Sequence, residues 1–191
     1  MKKIASFVLS ALLLTTSVNT IAQSAEEMKK YQDYMTPSAM HQWMAKHAGT
    51  WEAEVSTWMD PSAPPSKAKA TDVVTMAMNG LFQVGNFSSS MMGMPMTGQS
   101  TLGYNNATKM FVLSWIDNFS SGIISMTGTY DEKTKTLSLK GKQTDPISGK
   151  DTDIRQENKF IDDDTYTMTM FGAGMDGKEM KFMEGTFKRK K

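Results

Sequence analysis

Two short motifs at the ends of the strand-like part of this chain constrain its fold more than any other feature. Gly49-Thr50-Trp51 opens the first strand pattern, and Lys188-Arg189 closes the last one. An arginine that covers the face of a tryptophan stabilises the contact by about 0.5–2 kcal/mol. The pairing predicts that the first and last strands meet in a closed β-barrel, with Trp51 and Arg189 at the closure.

Between these motifs, apolar and polar residues alternate with the period of two that is typical of half-buried strands. Trp51, Ala53 and Val55, for example, alternate with Glu52 and Glu54. Turns rich in Asn, Asp, Gly and Pro separate such runs, and no helical pattern lies between them. The predicted strands cover residues 51–57, 69–78, 81–89, 97–104, 109–117, 122–130, 136–140, 152–161, 165–171 and 179–188. We expect an all-β protein, an antiparallel up-and-down barrel of about ten strands.

Two helical stretches precede the strands. Residues 23–35 are polar and are expected to form a helical arm, and the barrel domain is expected to cover residues 36–191. In Thr36-Pro37 we interpret the threonine as an N-cap and the proline as the first helical residue. One apolar stripe follows at helical spacing, formed by Met40, Trp43, Met44 and His47. This predicts a short helix that plugs one barrel end, with His47 partly buried and His41 off the stripe, capping a loop.

Residues 1–22 are typical of a secretory signal peptide. Lys2 and Lys3 precede an apolar run, and Thr20-Ile21-Ala22 offers small residues for cleavage near Ala22. The chain has no cysteine, which excludes disulfides and the lipidated cysteine of a bacterial lipoprotein. We expect a soluble periplasmic or secreted protein without a membrane span after signal removal. The mature chain would hold 19 basic and 20 acidic residues, too balanced for a nucleic-acid binder.

An ordered set of short motifs runs through nearly the whole barrel domain. It includes His41, Gly49-Thr50-Trp51, Trp58-Met59-Asp60-Pro61, Gly93-Met94-Pro95, Trp115-Ile116-Asp117, Gly128-Thr129-Tyr130-Asp131, Asp145-Pro146, Gly149-Lys150, Arg155, Asp176-Gly177-Lys178 and Lys188-Arg189. This set resembles the bacterial domain-of-unknown-function family 1579, and the Gly-x-Trp with a terminal arginine is similar to the calycin superfamily of lipocalins and fatty-acid-binding proteins. The resemblance implies a lipocalin-like barrel and leaves the activity unassigned.

No set of residues points to catalysis. Both histidines lie in the N-terminal helix, and the chain shows no Gly-rich phosphate loop, zinc spacing or Ser-His-Asp arrangement. Asp162-Asp163-Asp164 is interpreted as a solvated hairpin turn. We therefore expect a protein that is not an enzyme and that needs no cofactor.

Candidate ligand-binding residues come from strands that would line the barrel. Met168 and Met170 share one face of their strand, as do Met76 and Met78, and flexible thioethers fill irregular apolar space. Tyr104 precedes a hairpin turn at the rim. Trp115 and Asp117 share one parity of a strand with two apolar faces, so that Trp115 can point either way.

Arg155 is the candidate for binding a ligand carboxylate, because a guanidinium can form two parallel hydrogen bonds with it. Ile154 and Phe160 have the opposite parity. That parity favours an outward Arg155, paired with Glu157 or with a neighbouring strand. Both orientations stay open at this stage.

Three functions follow from these observations. The leading hypothesis is non-catalytic binding of a small apolar or amphipathic ligand in the barrel cavity. The alternative is a periplasmic metal or haem carrier: the chain has 19 methionines, and thioethers favour Cu(I). The densest cluster holds Met91, Met92, Met94 and Met96. Against haem, Glu52-Ala53-Glu54 replaces the Gly-x-Gly of the haem barrels that share Gly-x-Trp. The third is a filled barrel that acts through surface contacts with other proteins.

Overall fold

The computed structural model describes residues 24–174 and 177–191, so the predicted signal peptide lies outside the described residues. These residues form two α-helices, a short 3-10 helix and ten strands. The helices are α1 (Ala25–Met35), α2 (Ala39–Lys46) and the 3-10 helix Met78–Gly80. The strands are β1 (Gly49–Thr57), β2 (Ser66–Ala77), β3 (Phe82–Met91), β4 (Met94–Asn105), β5 (Met110–Asp117), β6 (Ile124–Asp131), β7 (Thr136–Thr144), β8 (Asp151–Asp162), β9 (Thr165–Ala173) and β10 (Glu179–Arg189).

The ten strands form one closed antiparallel barrel in which each strand pairs with its neighbours in sequence. β1 pairs with both β2 and β10, which closes the sheet and confirms the predicted fold class. At the closure Trp51 lies opposite Arg189, whose guanidinium carbon is 4.3 Å from the centroid of a Trp51 ring. The guanidinium also donates hydrogen bonds to the Ala48 carbonyl (2.6 Å) and the Asp164 carboxylate (2.9 Å).

The main correction to the strand bounds concerns the methionine-rich segment. The sequence leaves residues 90–96 between strands, whereas β3 continues to Met91 and β4 begins at Met94. The turn has two residues, Met92 and Gly93, with φ of 51° and 78°. Two residues with positive φ are enough for a tight hairpin, so the flanking methionines can pair in the sheet. Met78 is also misplaced by the prediction: it lies in the 3-10 helix and is exposed.

Helix α2 plugs one barrel end as predicted, and His47 is partly buried as predicted, but the helix begins later, and His41, which was expected to cap a loop, is buried within it. Its N-cap is Ser38, so Pro37 precedes the cap instead of opening the helix. His41 and Met44 are its buried residues, and His47 is the C-cap. The ring of His41 tolerates burial because its Nδ1 accepts a hydrogen bond from the Ser38 amide at 2.9 Å. Burial lowers the pKa of His41, so a neutral ring is favoured.

Helix α1 is an exposed arm attached to the barrel at its C-terminal end. Ser24 and Glu27 form a capping box, and none of its residues is buried. The Asn106 side-chain amide, in the β4–β5 turn, donates to the carbonyls of Asp33 (3.0 Å) and Thr36 (2.8 Å). Within the described part of the chain, no helix is both long and apolar enough to cross a membrane.

Two clusters of buried apolar residues lie in the barrel interior. The plug cluster lies against α2 and contains Met44, Leu102, Phe111, Leu113, Met126, Leu137, Leu139 and Ile154. The closure cluster surrounds the β1–β10 seam and contains Trp51, Val55, Ala70, Phe87, Met96 and Phe187. Members of both clusters face a cavity.

Candidate ligand cavity

The barrel encloses a cavity of about 310 Å³. It extends from Trp43 and His47 at the α2 end to Asp117, the last residue of β5, at the other end. Most of its wall is apolar, with aromatic rings and methionines prominent. Ligand-binding pockets span roughly 300–1,000 Å³, so the volume suits a small molecule.

Asp72 is the polar group in this wall that stands out. Its strand, β2, alternates in parity, and Asp72 faces inward together with Ala70 and Val74. The residues directly opposite it in the two adjacent strands are Trp51 and Phe87, so aromatic residues flank the carboxylate on both sides. Its Oδ1 is buried and has no hydrogen-bond partner among the described residues. Burial raises the pKa of Asp72 to about 6.

Tyr166 lines the same region from β9. Its ring lies 4.9 Å from Trp51 and stacks on Phe187 at 4.8 Å between centroids. Burial raises the pKa of the Tyr166 hydroxyl well above its ordinary value, and the nearby charge of Asp72 adds to this effect. Tyr166 is therefore a neutral group at physiological pH, able to donate a hydrogen bond.

The position of the Asp72 carboxylate depends on a glycine. Gly85 in β3 faces the cavity beside Ser100 of β4, its direct partner in the sheet. A Cβ added at Gly85 would lie 2.5 Å from the Ser100 Oγ and 3.0 Å from the Asp72 Oδ1. Because real Cβ atoms do not approach so closely, glycine at this position makes room for the Asp72 carboxylate and the Ser100 hydroxyl.

Trp115 points into the cavity, which settles the orientation that the sequence leaves open. Its indole lies over Gly98, where a Cβ would clash with the ring. The indole Nε1 donates to the Asp117 Oδ2 at 2.7 Å, and the Asp117 Oδ1 accepts from the Phe119 amide at 2.8 Å. Both carboxylate oxygens of Asp117 thus have partners within the chain, in contrast to Asp72.

The other polar groups in the wall mostly hold the fold. The Gln83 side chain donates to the Met44 carbonyl and ties β3 to α2. Gln156 donates to the Asn158 side chain at 3.1 Å. The Nδ1 of His47 lies 2.8 Å from the Trp43 carbonyl, and burial is the main reason that the pKa of His47 is lowered.

Of the residues that the sequence proposed for ligand binding, Trp115, Asp117, Met168 and Met170 line the cavity. Tyr104 does not: its ring packs on Phe111 at 4.9 Å and on His41 at 5.8 Å, beneath α2. Its strand ends at Asn105, beside the plug. Tyr104 therefore belongs to the packing between plug and barrel.

Arg155 lies outside the barrel, in the orientation that the parity of its strand favours, so it does not offer a clamp for a carboxylate in the cavity. The alternate residues Ile154 and Gln156 line the cavity, which turns Arg155 outward. Its guanidinium binds Glu179 with two hydrogen bonds of 3.1 and 2.9 Å and also pairs with Glu157. It covers the Phe171 ring at 3.6 Å. These contacts hold the Arg155 guanidinium on the outer face of the barrel.

The four methionines proposed for copper divide between the cavity and the surface. Met91 and Met96 line the cavity, whereas Met92 and Met94 are exposed at the hairpin. Within the described residues, no group of three or more His, Asp or Glu side chains is arranged to hold a metal ion.

The sequence analysis missed Asp72 and Tyr166. The signal was present, since Asp72 stands at the parity of Ala70 and Val74 in an alternating strand. Tyr166 has the same parity as Met168 and Met170, which were proposed as lining residues. A single acid on the apolar face of a strand is a candidate functional residue, because burying it without a partner costs free energy.

Comparisons with known proteins place the chain in a family. No curated protein matches its sequence. Among solved structures, that of Rv2717c from M. tuberculosis is similar, with a TM-score of 0.62 and 14% identity over 82% of this chain and 100% of that one. At this identity the similarity concerns the fold alone. A family model described as "Protein of unknown function (DUF1579)" matches residues 36–189, which include α2 and all ten strands. The chain therefore belongs to the DUF1579 family.

Proposed function

We propose that this protein is an exported, non-catalytic carrier that binds a small apolar or amphipathic molecule inside its barrel. The observation that carries the proposal is the cavity of about 310 Å³, whose wall is mainly apolar with a few converging polar groups. Such a combination is characteristic of small-molecule sites, where apolar surface supplies affinity and polar groups orient the guest. A barrel with a filled interior would offer no such volume.

The contacts of two polar wall residues, Asp117 and His47, support a structural role for them rather than a catalytic one. The Asp117 carboxylate is engaged by Trp115 and Phe119, and the His47 Nδ1 lies against the Trp43 carbonyl. These groups hold neighbouring parts of the chain. A general acid or base must instead be free to exchange a proton with the substrate.

The first test is native mass spectrometry of the protein isolated from its own cell envelope, with a denatured sample run in parallel. We expect a mature N-terminus at Gln23 and an additional mass that denaturation releases. A copper ion would be recognised as a fixed small increment. An unprocessed N-terminus would contradict export, and a reproducible apo mass would favour the filled-barrel hypothesis.

A second test asks whether binding occurs in the cavity. Naphthylmethanol, a neutral aromatic probe, should raise the melting temperature of the wild-type protein. Ser100→Leu adds bulk inside the barrel and should abolish the rise, whereas Thr101→Leu places the same leucine side chain on the outer face of the same strand and should not. Retention of the rise in Ser100→Leu would contradict binding in the cavity.

Haem binding is a second candidate, favoured by the presence of His47 in the cavity wall. An imidazole is a common axial ligand of haem iron. Titration with hemin should then produce a Soret band that His47→Ala removes and His41→Ala retains, provided both variants keep the wild-type circular dichroism. Absence of the band in the wild-type protein would exclude this candidate.

A further inference from the structure

We propose that the cavity selects an aromatic molecule with a protonated amine, and that Asp72 is the residue that binds the ammonium group. This inference rests on the proposed function, because it names the chemical class of the guest for the same cavity.

The charge of the cavity wall favours a cationic guest over an anionic one. Among the described residues that line the cavity, the acids are Asp72 and Asp117, and no lysine or arginine is present. Arg155 is turned outward, and Arg189 lies at the closure, engaged by Asp164 and backbone carbonyls. A ligand carboxylate would thus enter without a cation to pair with, at a large desolvation cost. The wall disfavours fatty acids and other anions.

The unused bonding capacity of Asp72 is the second step. Asp117 already accepts two hydrogen bonds, whereas the buried Asp72 Oδ1 accepts none from the described residues. A buried polar atom without a partner is rare in native proteins and calls for an explanation such as a ligand. An ammonium group has three hydrogen-bond donors and no acceptor. It therefore complements a carboxylate oxygen that has no other partner.

The aromatic rings around the carboxylate are the third step. Trp51 and Phe87 flank Asp72 in the sheet, Trp115 lies 5.8 Å from Phe87, and Tyr166 lies 4.9 Å from Trp51. Ring faces attract cations, so aromatic residues close to a carboxylate can help to bind an ammonium group. The same rings can stack on the aromatic body of a guest. Carboxylate and rings together favour an aromatic amine over an aliphatic one.

Three probes with one ring system and different charge test the proposal by isothermal titration calorimetry. Naphthylmethylamine is cationic, naphthylmethanol is neutral and naphthoate is anionic. For the wild-type protein at about pH 7.5 we expect the affinity to decrease from the amine to the alcohol and from the alcohol to the anion. A hydrogen bond to a charged group contributes about 1.5–3 kcal/mol, so the amine should bind about 10- to 100-fold more tightly than the alcohol.

Asp72→Asn should remove this preference, with a 10- to 100-fold loss for the amine and little change for the alcohol. Asp153→Asn is the matched control, because that carboxylate is on the outer face and pairs with Lys142. If the alcohol binds as tightly as the amine, the inference about Asp72 is wrong, but the proposed carrier function stands. If none of the three probes binds, the proposed carrier function falls with it.

A pH series on the wild-type protein gives a second readout that does not depend on how the variant folds. Between about pH 7.5 and 5 the amine stays protonated while Asp72 takes up a proton, so the affinity for the amine should fall. The titratable group that faces Asp72 is Tyr166 of β9, which stays neutral throughout this range, and the opposite residues in β1 and β3 are Trp51 and Phe87. The alcohol should show no such dependence; a parallel loss for both probes would contradict the role of Asp72.

Discussion

The plug cluster and the closure cluster are both buried, yet they differ in what they enclose. In the plug cluster apolar side chains meet one another and the face of α2. In the closure cluster, Trp51 and Phe87 stand on either side of the Asp72 carboxylate. The region next to the plug is thus closed by apolar packing, whereas the region next to the closure holds a carboxylate whose Oδ1 has no partner among the described residues. The difference teaches that two regions of one barrel interior can serve packing and recognition, although both contribute residues to the cavity wall.

The largest expected effect comes from a matched pair of phenylalanine truncations. Phe111 in the plug cluster packs against Trp43 and Tyr104, with ring centroids at 5.6 and 4.9 Å, and Phe111→Ala should cost about 3–5 kcal/mol. Phe87 faces the cavity, so Phe87→Ala loses fewer contacts and should cost about 1–2 kcal/mol less. Urea denaturation of both variants measures the two costs. Equal costs would mean that the two clusters are equally well packed.

The second prediction concerns the stability cost of the charge in the closure cluster. The pKa of Asp72 is raised from 3.8 to about 6, so the folded state binds its proton more tightly than the unfolded state. Ionisation then disfavours folding: the penalty is absent below about pH 4, grows as the pH rises towards 6 and is complete above it. Two pKa units correspond to about 3 kcal/mol.

Asp72→Asn removes this penalty without changing the shape of the side chain. Relative to the variant, the wild-type protein should lose about 2–3 kcal/mol of unfolding free energy between pH 4 and pH 7. Denaturation of both proteins across this range measures the difference, and Asp153→Asn, on the exposed outer face, should run parallel to the wild type. A constant difference between wild type and Asp72→Asn would show that the carboxylate is not desolvated.

Arg189→Lys tests the seam next to the closure cluster and should have a smaller effect. A lysine keeps the charge but cannot reproduce the planar set of bonds that Arg189 makes to Lys46, Ala48 and Asp164. We expect a loss of about 1–2 kcal/mol in denaturation, since each hydrogen bond contributes about 0.5–1.5 kcal/mol. Binding of naphthylmethylamine should be unchanged. A large loss of binding would indicate that the seam shapes the cavity.

The barrel could be predicted from the sequence because its determinants are local. Alternation with a period of two, turn residues and the motifs around Trp51 and Arg189 are each visible within a few residues. Where the prediction failed, a cap or a turn decided the bounds. Ser38 rather than Thr36 caps α2, and a two-residue hairpin at Met92 extends β4.

The site could be predicted only in part because its determinants lie in different strands. Parity places Met168 and Met170 inside the barrel, but Trp115 belongs to a strand with apolar residues on both faces, and its orientation depends on the space above Gly98 in the neighbouring strand. The apolar environment of the Asp72 carboxylate likewise arises from Trp51 and Phe87 in the strands on either side of it. Such pairings follow from the register of the whole sheet.

The smallest effect on stability is expected for a change at Arg155. This variant tests whether charge on the outer face, as opposed to charge in the cavity, affects binding. Arg155→Gln removes ion pairs with Glu157 and Glu179, and exposed pairs contribute about 0.2–1 kcal/mol. Denaturation should show a loss of this size that shrinks at high salt, because salt screens exposed charges. Lys142→Gln, which removes the outer pair with Asp153, is the matched control. Calorimetry should give wild-type affinities for all three naphthalene probes. If Arg155→Gln weakened naphthoate binding and Lys142→Gln did not, an anion would be recognised through Arg155, and the assignment of charge recognition to Asp72 would be wrong.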